Sequence, residues 1–229
     1  REMRGALVLG LLANAAALRL TVARHPRVVA TVVMDAASLC AALQAGDADA
    51  ADAVELLSTS RGRRSFFQCY LADPSCTVAD SESPPVALLG AMTGALAAPT
   101  ASDCLMNIVM AAGMGVEYHR KGNVKEAQGA ERIVSRASCL LAALIPTLGE
   151  YLVATDELLG AVEAKRGMFK GGEDYNDDYI NSWSSILPMF KYDDEQLQAI
   201  ACILDKIVDN APVELNEAAR QWQGPCADA

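Results

Sequence analysis

Residues 193–210 read DDEQLQAIACILDKIVDN, and their apolar residues recur at the spacing of an amphipathic helix. That spacing places one apolar stripe along the helix, formed by Leu197, Ile200, Ala201, Leu204, Ile207 and Val208. Asp193 with Gln196 in the next turn predicts a capping box at the start, and Asn210 with Pro212 shortly after it predicts the end. A further helix is expected from Pro212, with an inward face of Leu215, Ala218, Ala219 and Trp222.

The same periodicity continues upstream. Ser102 is expected to cap a helix with the stripe Leu105, Ile108, Val109, Ala112 and Val116. Pro146 is expected to kink or end a helix with the stripe Ile133, Ala137, Leu140, Leu144 and Leu148. Thr155 is expected to cap a short helix that ends with Lys165 and Arg166, just before Gly167. Further helices are predicted over 2–14, 18–33, 36–45, 47–58, 85–97 and 178–190.

Composition also indicates helices. Apolar residues make up 52% of the 229 residues but aromatic residues only 5%, so the core must come from Ala, Leu and Val on closely packed helices. Only Arg27–Met34 has the β-branched content of a buried strand, and one strand cannot form a sheet. We therefore expect an all-α fold, either a right-handed α-solenoid or an irregular helical bundle.

The chain is interpreted as one helical domain, residues 1–229. Two stretches, Ala72–Pro85 and Lys170–Tyr179, break the helical pattern with Pro, Gly, Ser and Asp and are expected to be surface loops. The first loop also suits a boundary between two halves of the chain, although a long loop within one solenoid explains it equally well.

Charge excludes several classes of partner. The net charge is −10 and the pI is about 4.7, which argues against a nucleic-acid binder and against an anionic membrane surface. No apolar stretch is long enough for a transmembrane helix, so no membrane insertion is expected. Residues 1–20 resemble a signal peptide, with Ala13-Asn14-Ala15 as a cleavage-like site. A cytoplasmic chain is the interpretation that we favour over this alternative.

The cysteines agree with a reducing compartment. They are odd in number and contain no CxxC pair, so we interpret them as reduced thiols that mostly fill the core. The seven positions are Cys40, Cys69, Cys76, Cys104, Cys139, Cys202 and Cys226.

A weak internal repeat is present. Leu-Leu followed by small residues recurs, with landmarks at Leu12, Leu57, Leu96 and Leu141 that are 45, 39 and 45 residues apart. Residues 5–50 resemble the junction of two armadillo repeats, with Asn14 in the place of the groove-lining Asn and Gly46-Asp47 in the turn. The later repeats lack the Asn, and residues 170–229 match no repeat. The resemblance to armadillo and HEAT proteins implies a solenoid with a peptide-binding groove, supported at Asn14 alone.

No catalytic or metal site is predicted. His25 and His119 have no Cys, Asp or Glu at metal-ligand spacing, and His119 suits the C-terminal end of a helix. There is no GxSxG motif. Asp174, Asn176 and Asp178 begin like a calcium loop, but Tyr179 and Ser185 stand where such a loop needs Gly and Glu. No cofactor is expected.

Two groups of residues are candidates for binding. The basic cluster Arg61, Arg63 and Arg64, next to Phe66, has the composition of an interface hot spot. The alternative, which the sequence favours, is a loop and helix start with Phe66 and Phe67 buried in the core. The interleaved aromatic residues Tyr175, Tyr179 and Trp183 lie in an acidic segment that suits a basic partner.

These features lead to a functional hypothesis and two alternatives. The hypothesis is a non-catalytic scaffold, adaptor or co-chaperone that binds a peptide or a protein on a helical-repeat surface. The first alternative is an obligate subunit of a larger assembly, which an exposed apolar patch would support. The second is a helical-bundle enzyme with a site assembled from His119, Glu117, Asp174 and Asp178.

Overall fold

A computed structural model describes residues 34–146, 149–168 and 177–211, without the side chains of Glu150 and of residues 177–182. Every regular element within these ranges is helical, which confirms the all-α fold class. The α-helices there are α1 (Ala36–Ala45), α2 (Ala50–Leu57), α3 (Ser60–Phe67), α4 (Val86–Ala91), α5 (Ala97–Arg120), α6 (Val124–Leu144), α7 (Gly149–Lys165), α8 (Asp177–Phe190) and α9 (Asp194–Asp209). A π-helical turn, Gln68–Ala72, continues α3, and 3-10 turns span Thr77–Asp80 and Gly94–Leu96.

Several boundaries agree with local sequence signals. Helix α1 begins and ends where it was predicted, with Asp35 as its N-cap and Gly46 as its left-handed C-cap at φ 78°. The capping box of α9 forms as expected, since the Asp193 carboxylate accepts from the Gln196 amide and the Gln196 side chain accepts from the Asp193 amide. Helix α6 ends at Leu144, shortly before Pro146.

Ser102 does not cap a helix. Helix α5 already begins at Ala97, continuing from the 3-10 turn that ends at Leu96. Pro99 lies in the first turn of α5. Backbone amides in a first turn have no carbonyl partner within the helix, so a proline there costs no hydrogen bond. Ser102 is therefore an exposed residue inside the helix.

Thr155 and the predicted helix over 85–97 also need correction. Helix α7 begins at Gly149, and the buried hydroxyl of Thr155 donates to the carbonyl oxygen of Tyr151 one turn earlier at 2.7 Å. The 85–97 segment divides into α4, the 3-10 turn and the start of α5, because the chain turns at Gly94, which has φ 56°.

The long helices α5 and α6 form an antiparallel hairpin that positions the other elements. Helix α5 also packs against α9, α7 and α3, while α9 packs against α7 and α8 packs against α7. On the N-terminal side, α2 packs against α4, and α3 packs against α1, α2 and the π-helical turn. One buried core runs through these described helices.

Some predictions lie outside the described residues. These are the helices at 2–14, at 18–33 and from Pro212 onward, together with nearly all of Arg27–Met34. Within the described residues, one helix, Gly94–Arg120, is long and apolar enough to cross a membrane, and half of its most apolar window is buried inside the protein. Core helices pass the same test.

Candidate functional site

Helix α3 carries the basic cluster, and its position is set by a cap and a glycine. The Thr59 hydroxyl accepts from the Gly62 amide at 2.9 Å, which starts the helix directly after α2. A Cβ atom at Gly62 would lie 1.9 Å from the carbonyl oxygen of Leu56. Only glycine therefore permits the close approach between the start of α3 and the end of α2.

The three arginines of α3 occupy different environments. Arg63 is half-buried, and its Nε donates to Asp103 Oδ2 of α5 at 2.6 Å while its Nη1 donates to the Leu57 carbonyl oxygen at 3.1 Å. Arg61 and Arg64 are exposed one turn apart, and neither forms an ion pair with any carboxylate of the described residues. Arg63 therefore joins α3 to α5, whereas Arg61 and Arg64 present two positive charges to solvent that no carboxylate in the described part of the chain pairs with.

Phe66 does not belong to this exposed surface. It is fully buried, stacks on Tyr70 with ring centroids 5.2 Å apart and meets Phe67 edge to face at 5.6 Å. Phe67 is 3% exposed, so both phenylalanines lie on the inner side of α3. The exposed part of the predicted basic cluster is thus its arginine face alone.

The second predicted group is only partly described. Asn14 and Tyr175 lie outside the described residues, and for Tyr179 only the backbone, in α8, is described. Trp183 of α8 is 3% exposed and belongs to the core, so its side chain does not lie on a surface that meets a basic partner. The apolar faces of α8 and α7, which pack together, explain its burial.

Two of the four residues considered for catalysis, Glu117 and His119, contact other side chains at the surface. His119 lies in the last turn of α5, as expected, and its Nε2 lies 2.8 Å from Glu131 Oε1 of α6. Glu117 pairs with Lys121 at 2.9 Å and with Arg120 at 3.7 Å. Asp174 lies outside the described residues, and so does the side chain of Asp178. In the described part of the chain, no group of three His, Cys, Asp or Glu residues has the arrangement to hold a metal ion.

A methionine face on α5 was not found by the sequence reasoning. Met106, Met110 and Met114 recur at four-residue intervals, and Met110 and Met114 are 47% and 40% exposed. Tyr192 packs over Gly113 beside this face, and Phe190 stacks on Tyr192 with ring centroids 5.2 Å apart. The four-residue spacing of methionines is a signal that an inspection of helical faces would have detected.

Arg136 of α6 is a second feature that the sequence reasoning missed. The residue is 2% exposed. Its guanidinium donates to both carboxylate oxygens of Asp80, from Nε to Oδ1 at 2.7 Å and from Nη2 to Oδ2 at 2.8 Å. Its Nη1 donates to the carbonyl oxygens of Tyr70, Leu71 and Asp73. This buried cation is satisfied by a carboxylate and by backbone, so it anchors residues 70–80 rather than offering a ligand site.

Comparison with known proteins places the chain in a family without adding an activity. No curated protein and no solved structure is significantly similar to the chain. One family model matches residues 32–207, which is more than half of the 229 residues and takes in nearly all of the described helices. The chain therefore belongs to the family described as Uncharacterised conserved protein UCP020893.

Proposed function

We propose that this protein is a non-catalytic binding module that docks an acidic partner protein on the exposed face of α3. The observation that carries the proposal is the pair Arg61 and Arg64, which are exposed on successive turns and have no ion-pair partner among the described residues. Arginine is the cation best suited to such recognition, since its planar guanidinium binds a carboxylate with two hydrogen bonds.

The contrast with most of the other described arginines supports a binding role. Arg63, Arg120, Arg136 and Arg166 are each committed to a carboxylate of this chain, while Arg132, which has no ion pair among the described residues, is only half-buried on α6 and not exposed. The protein carries a net charge of −10, so unpaired carboxylates are plentiful, yet Arg61 and Arg64 engage none of them in the described residues. An acidic partner would bind at this face and be repelled by most of the remaining surface, which favours a defined orientation.

The armadillo and HEAT resemblance remains a prediction. The matching stretch, residues 5–50, lies mostly outside the described residues. The three described landmark leucines sit in different contexts, since Leu57 ends α2, Leu96 ends a 3-10 turn and Leu141 lies inside α6. The proposed function therefore rests on the α3 face and needs no repeat.

Affinity capture with matched variants tests the proposal. The wild-type chain and an Arg61→Glu/Arg64→Glu variant are immobilised in equal amounts, and captured proteins are quantified by mass spectrometry. We expect an acidic partner to be depleted roughly tenfold or more by the variant, because arginines at a binding surface commonly act as hot spots. Binding of that partner to the wild-type chain should weaken as salt is added.

A matched control separates this face from general electrostatics. Lys125→Glu/Lys206→Glu changes the net charge by the same amount at two other exposed cations. Arg63 is kept in every variant, since it joins α3 to α5. Equal capture of each partner by the wild-type chain and by the arginine variant would refute the proposal. An equal loss of capture by both double variants would also refute it, because it would show that binding depends on net charge and not on the α3 face.

A second candidate is favoured by the methionine face. Exposed Met110 and Met114, with half-buried Met106 and the Phe190–Tyr192 stack beside them, form an apolar surface from two elements. The methionines are symmetric about Met110, so a twofold axis there would bring Met106 of one copy against Met114 of another. This arrangement supports a self-associating subunit.

A further inference from the structure

The methionine face of α5 lies midway between two charged groups of opposite surroundings. Asp103 and Glu117 stand seven residues before and seven residues after Met110, which is about two helical turns in each direction. Both residues therefore share the side of α5 that carries Met110. Arg63 of α3 contacts Asp103 at the first end of this face. The face thus runs from α3 at one end to the surroundings of Glu117 at the other.

The end of α5 that carries Glu117 has an excess of carboxylates within its ion pairs. Arg120 contacts both Asp193 and Glu195 at the start of α9. Glu117 lies 3.7 Å from Arg120 and pairs with Lys121 at 2.9 Å. We call the three carboxylates Glu117, Asp193 and Glu195 the α5-end cluster, and two cations serve them. The side chains of Asp193 and Glu195 are 50% and 69% exposed, so a further cation can reach them.

Arg61 and Arg64 lie at the opposite end of the methionine face. They flank Arg63 in α3, and neither pairs with a carboxylate in the described part of the chain. The chain carries a net charge of −10, so two copies repel each other over most of their surfaces. Contact between copies is therefore favoured where a basic surface of one meets an acidic surface of the other. The α3 face and the α5-end cluster are such a pair.

A twofold axis at Met110 would bring these two surfaces together. It pairs residues at equal distances from Met110, so Asp103 of one copy faces Glu117 of the other. We propose that the acidic protein bound by the α3 face is a second copy of this chain, with Arg61 and Arg64 placed against the α5-end cluster of that copy. This pairing rests on the proposed function, because it names the partner of the same site.

The centre and the ends of this interface have different roles. The methionines at the centre adapt their shape and exclude water. A standard interface involves roughly 20 residues a side, more than the methionine face offers, so the contact has to extend to both ends of α5. The charged ends fix the direction of pairing. A parallel arrangement would place Arg61 and Arg64 of the two copies against each other, whereas the antiparallel arrangement places them against carboxylates.

A charge-swap experiment tests the pairing. Arg61→Glu/Arg64→Glu and Glu117→Lys are purified separately, and the dissociation constant of each is measured by sedimentation velocity at low salt. Each variant alone has like charges at both ends of the interface, so its dimer should dissociate roughly tenfold more readily than that of the wild-type chain. An equimolar mixture should restore the dimer, because one copy of each variant gives opposite charges at both ends. Native mass spectrometry identifies this mixed dimer by its mass.

Matched controls change the same amount of charge elsewhere. Lys125→Glu/Lys206→Glu matches the arginine variant, and Asp205→Lys matches Glu117→Lys, all at exposed positions. Both controls should dimerise like the wild-type chain, and mixing them should bring no gain. Circular dichroism confirms that each variant is folded.

The possible results separate this pairing from the proposed function. If the arginine variant dimerises as tightly as the wild-type chain, the second copy is not the partner of the α3 face. The proposed function would still stand if that variant lost an acidic protein in affinity capture. Absence of the mixed dimer would overturn the pairing with the α5-end cluster. The wild-type chain decides the matter even where a variant fails to fold, since its dissociation constant should rise with added salt, and a constant that ignores salt would overturn the charged contacts.

Discussion

At the scale of single residues, Arg136 shows how one buried cation organises a non-helical segment. Its guanidinium donates the hydrogen bonds that water would otherwise donate to Asp80 and to the carbonyl oxygens of Tyr70, Leu71 and Asp73. Arg136→Met would fill a similar volume but leave those carbonyl oxygens without a donor. We expect a loss on the order of 3 kcal/mol in the free energy of unfolding, because unsatisfied buried polar groups are costly. Urea denaturation followed by circular dichroism measures it.

The pH dependence of this loss separates the contribution of the Asp80 ion pair from that of the backbone carbonyl oxygens. The hydrogen bond from Arg136 holds the pKa of the Asp80 carboxyl below its usual range. A carboxyl with a lower pKa in the folded state contributes stability above its unfolded pKa, and that contribution disappears as the pH falls through the folded value. The difference between wild type and Arg136→Met should therefore shrink in acid, while the part due to the carbonyl oxygens remains. A difference independent of pH would contradict the ion-pair part.

At the scale of elements, two glycines of α5 provide a matched pair. A Cβ at Gly113 would lie 2.5 Å from Cε1 of the Tyr192 ring, whereas a Cβ at Gly115 would lie 3.6 Å from the Cβ of Ala130. Gly115→Ala should stabilise the protein by about 0.5 to 1 kcal/mol, because alanine favours the helix. Gly113→Ala should be less stable than Gly115→Ala by about 1 kcal/mol, since Tyr192 must leave its position beside Phe190.

Chemical denaturation of both variants, with Tyr fluorescence as a second probe, measures the comparison. Equal stabilisation by the two substitutions would show that the Tyr192 ring moves away from Gly113 without cost. The Gln196 side chain, which donates to the Gly113 carbonyl oxygen at 2.8 Å, is untouched by either change. The variants therefore report on packing at this junction rather than on the hydrogen bond.

At the scale of the whole molecule, the methionine face predicts self-association. Light scattering after size exclusion should give the mass of a dimer for the wild-type chain, and Met110→Glu/Met114→Glu should give the mass of a monomer, since like charges would face each other across the twofold axis. A Val124→Glu/Met168→Glu control, at positions 65% and 63% exposed outside this face, should remain a dimer. A monomeric wild-type chain at the highest attainable concentration would exclude this interface.

Local chemistry accounts for the parts of the fold that the sequence predicted. The bounds of α1, the capping box of α9 and the end of α6 depend on residues within one or two turns of each other. Ser102 and Thr155 show the limit of this reasoning. Both residues are capable of capping a helix, but the apolar faces of α5 and α7 extend further toward the N-terminus, and burial of those faces outweighs a local cap.

The sequence by itself determined that this protein is helical, acidic and built on alanine- and leucine-rich stripes, because these properties reside in composition and short-range periodicity. The tertiary structure alone decided which members of a cluster are accessible. Arg63 is tied to Asp103 and Phe66 is buried, whereas Arg61 and Arg64 remain exposed. The reason is that exposure depends on contacts between residues far apart in the chain, and a spacing along one helix does not specify what packs against it.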